Sequence, residues 1–323
     1  MRRFLPLLLT VAVFLIGFAA CTVQFPAFAS TRVAANLLTD NAFLGVTAVG
    51  MTFVIISGGI DLSVGSVIAF TSVLIAVLVG QGVPPFAAFA LVLVLAALFG
   101  AGMGAVIHYL RMPPFIVTLA GMFLARGAAF MVSVDAVPIN DPFYAGLYDL
   151  SFRLPGGGRL TLIAMIMLAT FAFGIALAQF TRFGTNVYAL GGNRVSAGLM
   201  GVPIARTTVL LYALSSVLAA LAGIVFSFYT SAGYALSAVG VELDTIAAVV
   251  IGGTLLTGGQ GFVFGTLIGV LIQGLIQTYI VFDGTLSSWW TKIVVGLLLF
   301  GFIVFQQTLL GLSRRSGLGA ARG

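Results

Sequence analysis

Long apolar runs, joined by short polar connections, constrain this chain more than any other feature of its sequence. Hydrophobic residues make up 61% of the 323 residues and charged residues 7%, whereas a soluble globular chain carries about 25% charged residues. The runs reach the roughly 20 residues that a membrane-crossing helix needs, and they lack the period-two alternation of transmembrane β-strands. The sequence therefore predicts an all-α, polytopic integral membrane protein that forms a single transmembrane domain over residues 1–323.

The hydrophobic runs predict about ten membrane segments, some of them broken or re-entrant. The segment 244–257 is short and interrupted by glycine, so it is interpreted either as a span or as a half-helix. Non-helical backbone is tolerated at that depth only against protein or a water-filled cavity. The predicted segments cover residues 5–23, 37–57, 62–80, 86–108, 114–133, 161–180, 207–230, 244–257, 262–282 and 289–310.

The first apolar run has two interpretations. "MRRFLPLLLTVAVFLIGFAAC" has the basic start and apolar core of a signal peptide, but many further spans follow, which favours a retained first helix. Cys21 is the single cysteine, so no disulfide can form within the chain.

The basic residues predict the orientation of the chain, because cytoplasmic connections carry an excess of Lys and Arg. A cytoplasmic N-terminus puts most of them inside and predicts that both termini are cytoplasmic. The inside set is Arg2, Arg3, Arg111, Arg182, Arg194, Arg206, Arg314, Arg315 and Arg322. The outside set is Arg32, Arg153 and Arg159. The net charge of +6 is thus explained by the membrane, and no nucleic-acid partner is expected.

Two glycine-containing stretches are similar to each other. "SGGIDLSVGSVI" at 57–68 aligns with "TGGQGFVFGTLI" at 257–268. Gly-interrupted segments in corresponding positions are common in transporters and indicate the transport pathway. We therefore predict two related helix breaks, at Gly58 and Gly59 and at Gly258 and Gly259.

Asp61 follows the first glycine pair and precedes a helix predicted to begin near Leu62. Its carboxylate can cap that helix by accepting backbone N–H groups. A charge at membrane depth is also often functional, so Asp61 is equally a candidate for the translocation path, and the two roles are compatible.

Three stretches resemble the permease subunits of ribose-type ABC sugar importers: "ISGGIDLSVGSVIAF", "YALGGNRVSAGLMGVPIAR" and "VVIGGTLLTGGQGFVFGTLIG". In "GVELDTIAAVVIGGT" and "DGTLSSWWTKI" the chain is most similar to galactofuranose importer permeases. The resemblance implies import of galactofuranose or galactose through the bacterial inner membrane, with ribose or another monosaccharide as the alternative. It also implies three partners: an ABC ATPase subunit, a periplasmic sugar-binding protein and a second permease, with a heterodimer favoured over a homodimer.

A short cytoplasmic helix is predicted after Asn193, which is a good N-cap, and before Gly201 and Pro203, which stop a helix. The resemblance implies that this helix couples the permease to the ATPase. Ala197, Gly198 and Gly201 are small enough for close approach of a partner. The glutamate of the broader "EAAxxxG" importer motif is absent, since Val195 and Ser196 stand there.

Other polar residues in the spans have ordinary interpretations. Arg126 is predicted to snorkel or to pair with an acid such as Asp61 or Asp244, with a sugar contact as the alternative. Glu242 and Asp244 are expected at a helix N-terminus, where acids are favourable. Trp289 and Trp290 are expected in an interfacial aromatic belt, with stacking on a sugar as the alternative.

An importer permease, an ion-coupled transporter and a channel differ in the residues that they require. The sequence contains no catalytic constellation, metal-ligand cluster or cofactor motif, and "GxxxxGK[ST]" is absent, so ATP hydrolysis is assigned to a partner. An ion-coupled transporter needs acids deep in the spans, where Asp61 and Asp244 are the candidates. A channel needs a polar pore-lining run, which is not seen. The sequence favours a non-catalytic importer permease with membrane lipid around it.

Overall fold

The computed structural model describes residues 5–320, in which fourteen α-helices surround a closely packed centre. The helices are α1 (Leu5–Gln24), α2 (Thr31–Asp40), α3 (Ala42–Ile56), α4 (Val64–Gly80), α5 (Pro85–Tyr109), α6 (Pro114–Val132), α7 (Pro142–Asp149), α8 (Leu162–Phe180), α9 (Arg182–Gly192), α10 (Arg194–Leu199), α11 (Ile204–Thr230), α12 (Val241–Ile251), α13 (Val263–Asp283) and α14 (Trp289–Ala320). Arg2, Arg3 and Arg322 lie outside the described residues, as do the side chains of Arg314 and Arg315.

A short 3-10 helix (Pro26–Ala29) and four short strands complete the regular secondary structure of the described chain. The strands are β1 (Val137–Pro138), β2 (Ser151–Arg153), β3 (Arg159–Thr161) and β4 (Ala232–Gly233). β2 and β3 form an antiparallel hairpin within the long connection after α6, and β1 pairs antiparallel with β4. The second pairing joins the connections that follow α6 and α11.

The predicted fold class is confirmed, but the predicted count of about ten spans is too high. Within residues 5–320, seven helices are long and apolar enough to cross a membrane, and α2 with α3, bent by 57°, makes an eighth candidate. α4 is a shorter apolar helix of 17 residues. α12 has 11 residues and is about 16 Å long, roughly half of a bilayer core. The segment 244–257 is therefore a half-helix and not a span.

Two broken hairpins form the centre of the bundle. α3 turns into α4 through residues 57–63, and α12 turns into α13 through residues 252–262. The glycine pairs of both repeated stretches lie in these connections between helices. Every residue of α3 except Phe43 is buried, because α3 packs against α8, α11, α12 and α13.

The connection 231–240 does not stay at the surface of the bundle. Gly233 contacts the backbone of Ser72 and Val73 near the middle of α4, and Ala238 and Glu242 contact Gly65 near its beginning. The chain therefore descends along α4 before α12 starts. This descent explains why α12 is short, because the chain has already covered part of the membrane depth through β4 and the turns at 235–240.

Candidate functional site

The two helix breaks meet each other at their glycine pairs. Gly58 and Gly258 both have positive φ, 84° and 83°, a conformation that glycine adopts without steric cost. The N–H of Gly259 donates to the carbonyl oxygen of Ile56 at 2.8 Å. A Cβ atom on Gly258 would lie 2.9 Å from the Gly58 nitrogen. The backbones of the two hairpins are thus in direct contact, with no room for a side chain at Gly258.

A third glycine pair completes this contact, and sequence analysis missed it. Gly191 lies at the end of α9, and a Cβ there would overlap the carbonyl oxygen of Ile56 and lie 2.5 Å from the Gly259 nitrogen. The signal was the doublet in "YALGGN", which is the same two-residue pattern as in both breaks. We call the contact of residues 58–59, 191–192 and 258–259 the glycine junction.

Asp61 is completely buried beside the glycine junction. Its Oδ1 accepts hydrogen bonds from the Ser63 backbone N–H at 3.0 Å and from Ser63 Oγ at 2.6 Å. Its Oδ2 accepts from Ser215 Oγ of α11 at 2.7 Å. Asp61 therefore fixes the turn and ties it to α11.

The predicted capping geometry of Asp61 is wrong in detail. α4 begins at Val64, not near Leu62, and its N-cap residue Ser63 makes no side-chain capping bond. The only backbone N–H group that donates to Asp61 within the described residues is that of Ser63. Ser63 lies between Asp61 and Val64, the first residue of α4. The role of Asp61 in a translocation path remains a prediction.

Arg126 pairs with neither Asp61 nor Asp244, so that prediction is wrong. Its Nη1 donates to the carbonyl oxygens of Ala235 at 2.5 Å and Ser237 at 2.7 Å. Both carbonyls belong to the descending connection, where residues 235–240 form turns, so no continuing helix supplies N–H donors to them. Arg126 supplies the missing donors, with the charge of Glu242 nearby.

The short helix predicted after Asn193 is confirmed as α10. Asn193 Oδ1 accepts from the Ser196 N–H at 2.9 Å, and Gly201 ends the turn with φ of 82°. Ala197 is buried against the chain itself, whereas Gly198 and Gly201 are exposed. Arg194 lies 3.3 Å from His108 Nδ1, which brings the α5–α6 connection to the same end of the bundle.

Large apolar side chains, which sequence analysis did not single out, form the outer face of α10 and its C-terminal turn. Val195 is 75% exposed, Leu199 86% and Met200 74%. Beside them lies a groove lined by Arg182, Arg206 and Gly201, among others. This end of the bundle, the α10 end, thus presents apolar and basic groups together.

A cavity of about 700 Å³ lies at the opposite end of α11, near Tyr229. Its polar lining includes Asp244 and Lys292, whose side chains form the ion pair found within the described chain. Asp244 and Glu242 lie in the first turn of α12, as predicted. Trp289 and Trp290 begin α14 but do not line the cavity.

Comparison with known proteins identifies the family. Residues 33–303 match the model described as branched-chain amino acid transport system / permease component. The chain belongs to this permease family. No solved structure matches it.

Several curated relatives cover nearly the whole permease. The inner membrane ABC transporter permease protein YjfF of Escherichia coli is 62% identical, over 95% of this chain and 93% of YjfF. The fructose import permease protein FruG of Bifidobacterium longum is 36% identical over 96% of this chain and 92% of its own length. The ribose import permease protein RbsC of Bacillus subtilis is 38% identical over 87% of each chain.

These relationships assign the general role of the chain. It is a multi-span permease subunit of an ABC importer, in a family whose named members import ribose and fructose. The subunit is non-catalytic, and ATP is hydrolysed by a separate subunit. A substrate-binding protein delivers the solute in importers of this kind.

Proposed function

We propose that this permease imports galactofuranose or galactose through the bacterial inner membrane, with both termini cytoplasmic. The support is the similarity of "GVELDTIAAVVIGGT" and "DGTLSSWWTKI" to galactofuranose permeases, together with relatives that carry ribose and fructose in their names. Ribose or another monosaccharide is the alternative substrate.

The α10 end is the proposed contact with the ATPase, and the exposed apolar face of α10 is the observation that carries this assignment. Val195, Leu199 and Met200 point away from the chain, and Asn193 and Gly201 fix both ends of the helix. Exposed apolar clusters of this kind mark protein contacts. Gly198 leaves room for a partner on the same surface, while Ala197 holds α10 to the bundle.

The glycine junction and Asp61 are proposed to lie on the moving part of the translocation path. The two hairpins meet at the glycine junction through backbone, where no large side chain stands between them. Gly58, Gly59, Gly258 and Gly259 would form the inner closure of the path. A second, different permease chain is proposed to supply the other half of the path.

The substrate is tested by binding measurements on the partner sugar-binding protein. We expect tight binding of galactose or its furanose form and weak binding of ribose. Tight ribose binding without galactose binding would replace the proposed substrate by the alternative. A branched-chain amino acid, included because of the family description, should not bind.

Coupling is tested with Leu199→Asp, because that side chain is 86% exposed and its loss should not disturb folding. We expect the variant to reach the membrane but to retain the ATPase on the order of tenfold less in co-purification, as for an interface anchor. Leu150→Asp, an exposed residue near the opposite end, is the matched control. Equal ATPase recovery with both variants would show that α10 only connects two spans. Gly201→Trp does not separate loss of ATPase contact from distortion of the turn. The φ of Gly201 is 82°, so any side chain there strains the backbone.

A further inference from the structure

The cavity near Tyr229 has polar side chains among its apolar lining, although membrane helices form its walls. α2, α11, α12, α13 and α14 contribute to its lining. Its side chains with hydrogen-bonding groups include Asn36, Asp40, Asp244, Gln273, Gln277 and Lys292. Ionisable residues at membrane depth usually face a water-filled cavity or pathway rather than lipid. The composition of this wall therefore indicates a space for water or a hydrophilic solute.

An ion pair lies in the wall of this cavity. Lys292 Nζ lies 2.6 Å from Asp244 Oδ1 and 2.5 Å from Oδ2. The Lys292 side chain is 54% exposed and the Asp244 side chain 26%, so both charged groups remain accessible from the cavity. Gln273 Nε2 donates to the Asp244 carbonyl oxygen at 2.9 Å, which holds the first turn of α12 in place.

Two amide side chains in the same wall have no partner. Asn36 on α2 and Gln277 on α13 line the cavity, and neither side-chain amide takes part in a hydrogen bond within residues 5–320. Asp40 receives only a long hydrogen bond, 3.4 Å from Tyr229 Oη. The cavity thus offers free donors and acceptors of the kind that bind hydroxyl groups.

Aromatic rings supply the apolar part of the wall. Phe43 and Phe226 both line the cavity and pack edge to face with their centroids 5.3 Å apart. A monosaccharide presents hydroxyl groups around its edge and apolar C–H groups on its faces. A wall of amides, a charge pair and aromatic rings matches both kinds of surface.

The two stretches most similar to galactofuranose permeases meet in this cavity. "GVELDTIAAVVIGGT" contributes Asp244 and "DGTLSSWWTKI" contributes Lys292, and these two residues form the ion pair. They are 48 residues apart in sequence, and nothing in the sequence alone joins them.

We propose that this cavity is a saccharide-binding site of the permease, in which the Asp244–Lys292 pair and the amides of Asn36 and Gln277 bind sugar hydroxyl groups. The ligand class is a neutral polyhydroxylated molecule, because the pair cancels its own charge and Asp40 disfavours an anion. The site rests on the proposed sugar-import function and adds the side chains that contact the sugar. The glycine junction, by contrast, has no side chains to offer.

The first test asks whether the cavity holds water. Gln277→Cys and Leu297→Cys are made in a Cys21→Ser background and treated with a membrane-impermeant maleimide. Leu297 is the matched control because it is 67% exposed but lies in an apolar surface depression of α14. We expect labelling of Gln277→Cys and of Thr291→Cys, another lining residue, but not of Leu297→Cys. Absence of labelling at both lining positions would overturn the proposal.

The second test asks whether the wall binds sugar. Asn36→Leu/Gln277→Leu is compared with Gln307→Leu, which replaces an exposed amide of α14 that does not line the cavity. We expect sugar uptake per ATP hydrolysed to fall on the order of tenfold in the double variant, from two lost hydrogen bonds of about 1 kcal/mol each. Sugar uptake per ATP hydrolysed should stay at the wild-type level in Gln307→Leu, because that residue does not line the cavity.

The outcomes separate this site from the proposed function. Wild-type uptake per ATP in the double variant overturns the site while sugar import stands. Failure of the wild-type system to transport any of galactose, its furanose form, ribose or fructose overturns the function, and the site with it. An equal loss in Gln307→Leu would assign the effect to general weakening of the bundle and also reject the site.

Discussion

The break from Ser57 to Ser63 and the break from Gly252 to Phe262 share a glycine pattern, yet different interactions hold them. In the first, Asp61 is buried and accepts hydrogen bonds from Ser63 and Ser215. The aligned position in the second is Gly261, where a Cβ would lie 2.7 Å from Thr254 Oγ1. The first break is tied by a carboxylate, and the second by backbone hydrogen bonds within the turn and by Tyr188 Oη, which donates to the Gly261 carbonyl oxygen at 2.8 Å. A repeated glycine motif thus sets the position of a turn but not the interactions that stabilise it.

The largest expected effect comes from the residue that touches both breaks. Gly191→Ala would place a methyl group on the carbonyl oxygen of Ile56, and the backbone must move to accept it. We expect loss of the folded protein from the membrane, or of most of its uptake activity. The matched control is Gly192→Ala, because a Cβ there has open space.

For Gly191→Ala and its control, we would measure the amount of permease in the membrane and the thermal unfolding midpoint of the purified permease. Similar values for Gly191→Ala and Gly192→Ala would mean that the three glycine pairs do not touch as described. The two breaks would then be independent of α9.

Alanine at the two equivalent glycines separates strain from crowding. Gly58 and Gly258 have almost the same φ, 84° and 83°. Alanine at either position should therefore lower the free energy of unfolding by about 1 to 2 kcal/mol, because it must adopt the left-handed conformation. A Cβ on Gly58 would have only the Thr257 carbonyl oxygen nearby, at 3.9 Å, whereas one on Gly258 would lie 2.9 Å from the Gly58 nitrogen and 3.0 Å from the Ile56 carbonyl oxygen. We expect Gly258→Ala to lower the unfolding midpoint more than Gly58→Ala. The reverse order would show that the first break is the tighter one.

The carboxylate distinguishes the first break, and its replacement tests that difference. Asp61→Asn keeps an acceptor for the Ser63 N–H, and its amide can donate to Ser215 Oγ, so we expect near-normal folding. Asp61→Leu leaves the Ser63 N–H and two hydroxyl groups without their acceptor in a buried site. Each unsatisfied group costs about 1 to 3 kcal/mol.

Membrane levels and uptake are measured together for the two Asp61 variants. High levels of Asp61→Asn and low levels of Asp61→Leu would confirm the structural role. Equal levels with equal loss of uptake would instead assign Asp61 to transport.

Local signals in the sequence predicted the local parts of the site. The glycine doublets predicted both breaks, because positive φ and close contact leave glycine as the suitable residue. Asn193 and Gly201 predicted the ends of α10, since capping acts over three or four residues. These features depend on neighbours along the chain, which is why a single sequence reveals them.

The features that sequence analysis missed depend on distant residues. Arg126 was assigned an acidic partner because opposite charges attract, but its partners are carbonyl oxygens 109 and 111 residues away. They become available because the chain descends along α4 through the turns at 235–240, outside any helix. Lys292 and the Gly191 contact were missed for the same reason. The count of spans was too high because hydrophobicity does not distinguish α12, a half-helix, from a span.

The smallest expected effect concerns the one side-chain hydrogen bond that joins α3 of the first hairpin to α13 of the second. Thr52 Oγ1 donates to the Ala48 carbonyl oxygen at 2.6 Å and lies 2.8 Å from Thr266 Oγ1. Because the Thr52 proton is already used, Thr266 must be the donor between the two hydroxyl groups. Thr52→Val should therefore leave the Thr266 hydroxyl unsatisfied and cost about 1 kcal/mol, a typical value for a hydrogen bond between membrane helices.

Thr52→Val/Thr266→Val completes a double-mutant cycle across the two hairpins. Replacing both hydroxyl groups by methyl groups of the same shape removes the unsatisfied donor, so the double variant should lose less stability than the sum of the single variants. The measurement is the free energy of unfolding of the four proteins in detergent. Strict additivity would show that the two hydroxyl groups are not coupled, and that backbone contact and apolar packing join the hairpins without this hydrogen bond.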